Sequence, residues 1–102
     1  MYSDKSVDKL INMISLLSSE EEIKALLCDL CTIKELQDMA QRFETALMLD
    51  AGENYQEISQ KIGTSSATIS RVNRCLNYGD GGYANAIAVY KKSLKDKAKG
   101  EK

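Results

Sequence analysis

The chain has 102 residues, 28% charged and 43% hydrophobic, with no proline, histidine or tryptophan and a formal net charge of −1. That length holds one domain, and the balance of charged and apolar residues excludes a disordered chain. MYSDKSVDKL has no basic stretch followed by an apolar block, so no signal peptide is read there, and no stretch approaches the roughly 18 uninterrupted apolar residues of a membrane span. The expectation is a cytoplasmic protein without membrane association. Abundant Ala, Leu, Glu and Lys, with some Gln and without β-branched runs, predict an all-α fold.

In chain order, the first predicted helix runs from about Asp4 to Leu17, with Val7, Leu10, Ile11, Ile14 and Leu17 on one face. Ser19 and Glu22 then carry the spacing of a capping box, in which hydroxyl and carboxylate each accept the other residue's amide. The second helix, Glu20 to Leu30, points Ile23, Leu26, Leu27 and Leu30 inward. Thr32 and Glu35 repeat the box and open a third helix, Ile33 to Ala51, which Gly52 ends. Its apolar set is Ile33, Leu36, Met39, Ala40, Phe43, Ala46, Leu47, Met48 and Leu49. This stripe is broader than one contact face, and a small chain covers such a surplus most economically with a second copy of itself. Residues 1–53 therefore read as the helical dimerisation body of a homodimer. The alternative is a monomeric bundle with exposed methionines.

Residues 54–78 read as a helix-turn-helix unit. Asn54 caps a short helix, Tyr55 to Ile62, anchored by Ile58 and Ile62. Gly63 supplies a sharp turn without Cβ strain. The second helix, Ser66 to Leu76, is anchored by Ile69, Val72 and Leu76. NYGDGG, at residues 77–82, is a turn cluster. Residues 79–95 supply a C-terminal packing helix, about Tyr83 to Lys95, with Tyr83, Ile87, Tyr90 and Leu94 on one side. Residues 96–102 read as a frayed basic tail, and the whole as one domain.

The face of the second helix away from its anchors is small, polar and free of acids: Ser65, Ser66, Ala67, Thr68, Ser70, Arg71, Asn73 and Arg74. Small residues let a helix reach the floor of a major groove about 12 Å wide. Hydroxyls meet phosphates or base edges, Ala67 and Thr68 suit a thymine methyl, and the arginines suit guanine or phosphate. The free amides and dipole of the helix start add attraction for phosphate. Gln56, Gln60 and Lys61 on the preceding helix are candidate phosphate contacts, or simply a wet surface. Charge agrees with an anionic partner for the back half. Residues 1–54 carry 5 Lys/Arg against 11 Asp/Glu, a net of −6, residues 55–82 a net of +1 and residues 83–102 a net of +4. Double-stranded DNA is the expected partner.

Three cysteines, Cys28, Cys31 and Cys75, form no disulfide framework. Cys28 and Cys31 have C-x-x-C spacing, but zinc ordinarily wants four Cys or His ligands. The pair reads as ordinary core thiols, with a thiol switch as the alternative. Without histidine, general acid-base chemistry has few candidates, so no enzyme activity, metal or cofactor is expected.

ELQDMAQRFETALML followed by IGTSSATISRVNRCLNYG resembles the YerC/YecD group of Trp-repressor-like proteins, over roughly residues 28–90. The resemblance implies a six-helix Trp-repressor-like fold, an intertwined homodimer in which the first three helices and the last helix interlock between chains, and a DNA-binding pair made by the fourth and fifth helices. It implies a regulator of transcription, a repressor, that reads a two-fold symmetric operator through the major groove. Thr32, Arg42 and Arg71 match positions that line the tryptophan pocket of the Trp repressor. Val72 stands where that repressor has a glycine beside the indole, and the segment after Gly52 is one residue shorter. Both departures argue against tryptophan as effector and leave another small molecule, or none. The competing reading is a dimeric protein-interaction module that docks another regulator through its helix-turn-helix.

Overall fold

The computed structural model describes residues 1–100, and among them the chain forms six α-helices and no strand. They are α1 (Lys5–Leu16), α2 (Glu20–Leu30), α3 (Ile33–Asp50), α4 (Tyr55–Ile62), α5 (Ser66–Tyr78) and α6 (Gly82–Gly100). No helix among these residues is long and apolar enough to cross a membrane.

Local side-chain chemistry sets most helix starts. An isolated helix leaves its first amides without partners, and a short polar side chain at the cap supplies one. Asp4 accepts from the Val7 amide at 2.8 Å, and Ser19 from the Glu22 amide at 3.1 Å. Thr32 and Glu35 make the reciprocal pair, with amide-to-oxygen distances of 3.1 and 2.8 Å. Asn54 and Glu57 form a further capping box at α4. The first helix thus begins one residue later than its periodicity alone predicts, because Asp4 is its cap.

The chain divides into two compact units, and the division falls inside α3, after Met39. The predicted boundary at residue 53 follows the turn. Packing instead joins the second half of α3 to α4, α5 and α6. In the first unit, Met1–Met39, no residue of α1 or α2 is fully buried. Val7, Ile14, Leu17, Ile23, Leu26, Leu27 and Leu36 are half-buried, whereas Leu10, Ile11, Met13, Leu16, Leu30 and Ile33 are exposed.

The second unit, from Ala40 onward, holds the buried core. Ala46, Val72 and Ile87 form a cluster packed by Phe43, Leu47, Leu49, Leu76 and Tyr83. Ile58 and Ile69 are fully buried, and α5 packs against both α4 and α6. Thr45 is buried too, and its hydroxyl donates to the Gln41 carbonyl at 2.8 Å. Phe43 and Tyr90 meet edge to face with centroids 6.3 Å apart, a favoured arrangement for aromatic pairs.

Two helices run longer than predicted. α5 continues through Asn77 and Tyr78, and the Gly79 amide closes its last turn on the Cys75 carbonyl at 2.9 Å. α6 continues past the expected end at Lys95 to Gly100, because no proline or glycine interrupts residues 83–99. Residues 96–100 of the expected frayed tail are therefore helical, and residues 101 and 102 lie outside the described residues. The cysteine expectation also changes. Cys28 is exposed and Cys31 half-buried, because Ile23, Leu26 and Leu27 take the inner face of α2 and Cys28 falls outside that row.

Candidate nucleic-acid interface

The turn between α4 and α5 is built from three local devices. Gly63 closes α4 in the left-handed region, at φ 79° and ψ 20°, and its amide donates to the Ser59 carbonyl at 2.8 Å. The Ser59 hydroxyl donates to the Thr64 carbonyl at 3.0 Å, and Thr64 itself is buried. Ser65 then caps α5, accepting from the Thr68 amide at 3.2 Å and donating to the Thr68 hydroxyl at 3.1 Å. Sequence reasoning did not single out Ser59 or Thr64, because a hydroxyl inside a predicted helix and a threonine after Gly63 carry no periodic signal of their mutual hydrogen bond.

Ile69 and Val72 are 0% and 1% exposed, which turns the opposite side of α5 to solvent. Ser66, Ala67, Ser70, Arg71 and Arg74 are all exposed, and the first turn carries no acid. Ala67, Arg71 and Arg74 follow at i, i+4 and i+7, and Ser66 and Ser70 form the adjoining row. Ala67, Ser70, Arg71, Arg74 and Cys75 line a shallow cavity of about 240 Å³. Neither Arg71 nor Arg74 has an acidic partner among the described residues. The arc is therefore cationic, narrow and uncommitted.

Other candidates are placed differently. Ser65 and Thr68 spend hydrogen bonds on the cap, and Thr68 is half-buried. Asn73 is half-buried, and its side-chain oxygen accepts from the Asn77 amide group at 3.1 Å. Gln56 and Gln60 are exposed on α4. Lys61, in the last turn of α4, is ion-paired to Glu53, which precedes that helix. That hydrogen bond and charge, with the nearby charge of Glu57, raise the Lys61 pKa. A committed ammonium offers less to a phosphate than a free one. The extended α5 adds residues that the predicted helix end left out. Tyr78 follows Arg74 in the Ala67 row and is 85% exposed, and Asn77 follows Ser70.

Thr32, in the first unit, uses its hydroxyl to accept from the Glu35 amide. Arg42 is exposed on α3 in the second unit. Val72 occupies its space with its own side chain, packed with Ala46 and Ile87.

A family model described as Trp repressor protein matches residues 5–91. The chain is 49% identical to the protein YerC of Bacillus subtilis (strain 168) over 83 residues, which is 81% of this chain and 80% of YerC. Among solved structures it is similar to a TrpR-like protein from Eubacterium eligens, at TM-score 0.83 and 40% identity over 87% of this chain and 92% of that one. It is also similar to a candidate Trp repressor from Staphylococcus aureus, at TM-score 0.82 and 36% identity over 87% and 89%.

Proposed function

The chain belongs to the Trp repressor family, and on that premise we propose that it is a homodimeric transcriptional regulator, a repressor, that reads a two-fold symmetric operator with α5 in the major groove. One observation carries this reading: the exposed, acid-free arc of Ser66, Ala67, Ser70, Arg71 and Arg74 stands on a helix whose other side is locked by Ile69 and Val72. A rigid helix with a slim polar edge is what base readout needs. Arg71, nearer the helix start, reads base edges. Arg74 sits higher and holds phosphate. Gln56 and Gln60 add contacts to the backbone.

Dimerisation follows from the apolar side chains left uncovered in one copy. Ile11 is 59% exposed, Leu16 66%, and Ile33 76%. A second copy that covers them supplies the burial a small chain lacks, and its two-fold axis sets two reading helices about 34–36 Å apart. Tryptophan is not the effector in this reading. The buried Val72 already holds α5 against the core, so the helix is positioned without a ligand beneath it.

Selection from a random pool of DNA duplexes tests the proposal. Enrichment of a palindrome with half-sites one helical turn apart is the expected result. Failure to enrich any site at low salt would overturn it and favour docking of another protein through the same helix pair.

A further inference from the structure

α6 has a face that the second unit does not use. Ile87 is 3% exposed within the core cluster, Tyr83 packs on that cluster, and Tyr90 meets Phe43. The row Tyr83, Ile87 and Tyr90 is thus the packing side. Lys92, Lys95 and Lys99 recur at i, i+3 and i+7 on the opposite side, and all are exposed. Because the helix is continuous to Gly100, these three ammonium groups are held in register instead of being spread along a loose tail. Lys91 is committed to Asp50 at 2.5 Å. Lys92, Lys95 and Lys99 have no acidic partner among the described residues. Asp96 is the one acid against five lysines in residues 91–100.

We propose that Lys92, Lys95 and Lys99 form a second contact with the phosphate backbone of duplex DNA, separate from the helix-turn-helix and indifferent to sequence. The inference rests on the DNA-binding reading above. Lysine is a compact point charge on a flexible stem. It neutralises phosphate well but lacks the planar fork that reads a base. The same unit carries α5 and α6, so both contacts belong to one packed body. An anionic bilayer fits less well, because an amphipathic helix enters a bilayer by its apolar face, and on α6 Tyr83 and Ile87 of that face pack on the core and Tyr90 meets Phe43, which leaves Leu94, 49% exposed, as the uncovered end of that row.

The test compares the full chain with the triple variant Lys92→Gln, Lys95→Gln, Lys99→Gln. Fluorescence anisotropy follows binding to a duplex of unrelated sequence, and to the selected site, over a series of salt concentrations. The magnitude of the log K against log salt slope should fall by about 0.9 for each lysine engaged. The preference for the selected site over the unrelated duplex should stay the same, and the variant Lys92→Arg, Lys95→Arg, Lys99→Arg should keep the slope of the unaltered protein. An unchanged slope in a variant of normal helicity overturns the proposal. So does an unchanged slope accompanied by lost self-association, or by lost binding to phosphatidylserine vesicles, since the lysines would then serve a second copy or a membrane. If the unaltered protein binds neither duplex at low salt, the proposed function itself fails. If it binds both and only the slope comparison fails, the α6 contact alone is lost.

Discussion

At the residue scale, Gly63 carries a prediction about stability and Arg71 one about DNA binding. A Cβ at Gly63 would meet nothing within 4 Å, yet its φ of +79° lies where side chains are strained. Gly63→Ala should therefore lower stability through backbone strain and not through a clash, by about 1 kcal/mol, read as a lower midpoint in urea. Arg71 is the converse case. It is exposed and holds no acid, so Arg71→Ala should change stability by less than about 0.5 kcal/mol while DNA affinity falls roughly tenfold. Equal affinity for the variant in a gel-shift assay would remove Arg71 from the reading edge. Lys61→Ala should weaken binding less than Arg71→Ala, because Glu53 already holds that ammonium.

At the scale of the element, caps and anchors decide whether each helix starts and stays. Asp4 accepts from the Val7 amide, with the Tyr2 and Ser6 hydroxyls adding to it, and these bonds lower its pKa to about 2. Hydrogen bonds from Thr32 likewise lower the pKa of Glu35. For a depressed carboxylate, the contribution is fully present above the unfolded value, about 4, and is lost as pH falls through the folded value. Protection of the Val7 amide from hydrogen exchange should thus decline between about pH 4 and pH 2. In Asp4→Ala that decline should be missing. Ser65→Ala should cost about 1 kcal/mol through the lost cap of α5. Ile69→Ala should cost more, about 2–5 kcal/mol, because it opens a cavity at a fully buried site. Both are checked by chemical denaturation. The cap motifs were legible in the sequence because their partners sit three residues apart. The ends of α5 and α6 were not, because weak turn residues such as Asn77 stay helical when the next turn can close, as the Gly79 amide does on Cys75.

For the whole molecule, the two units differ in how they bury apolar surface. The second encloses a core of its own, whereas α1 and α2 bury no residue fully. Since marginal domains gain stability from association, the unfolding midpoint should rise with protein concentration, and sedimentation should report a dimer. A midpoint independent of concentration, together with a monomer mass, would contradict the proposed assembly. Charge acts at this scale too. The net of −6 over residues 1–54 disfavours their approach to a polyanion, so charge-reversing substitutions there should leave the salt dependence of DNA binding unchanged if the proposed contacts of α5 and α6 hold.

The helical class, the caps, the hinge glycine, the polar edge of α5 and the resemblance to the family were all legible in the order of the residues. Each of these is written in residues within a turn or two of one another, where periodicity and hydrogen-bond reach are enough. Tertiary packing alone decided that α3 is shared between two units, that Lys61 is committed to Glu53 eight residues away, and that Val72 fills its own site against Ala46 and Ile87. Those outcomes depend on which side chains meet across helices, and no local spacing encodes that.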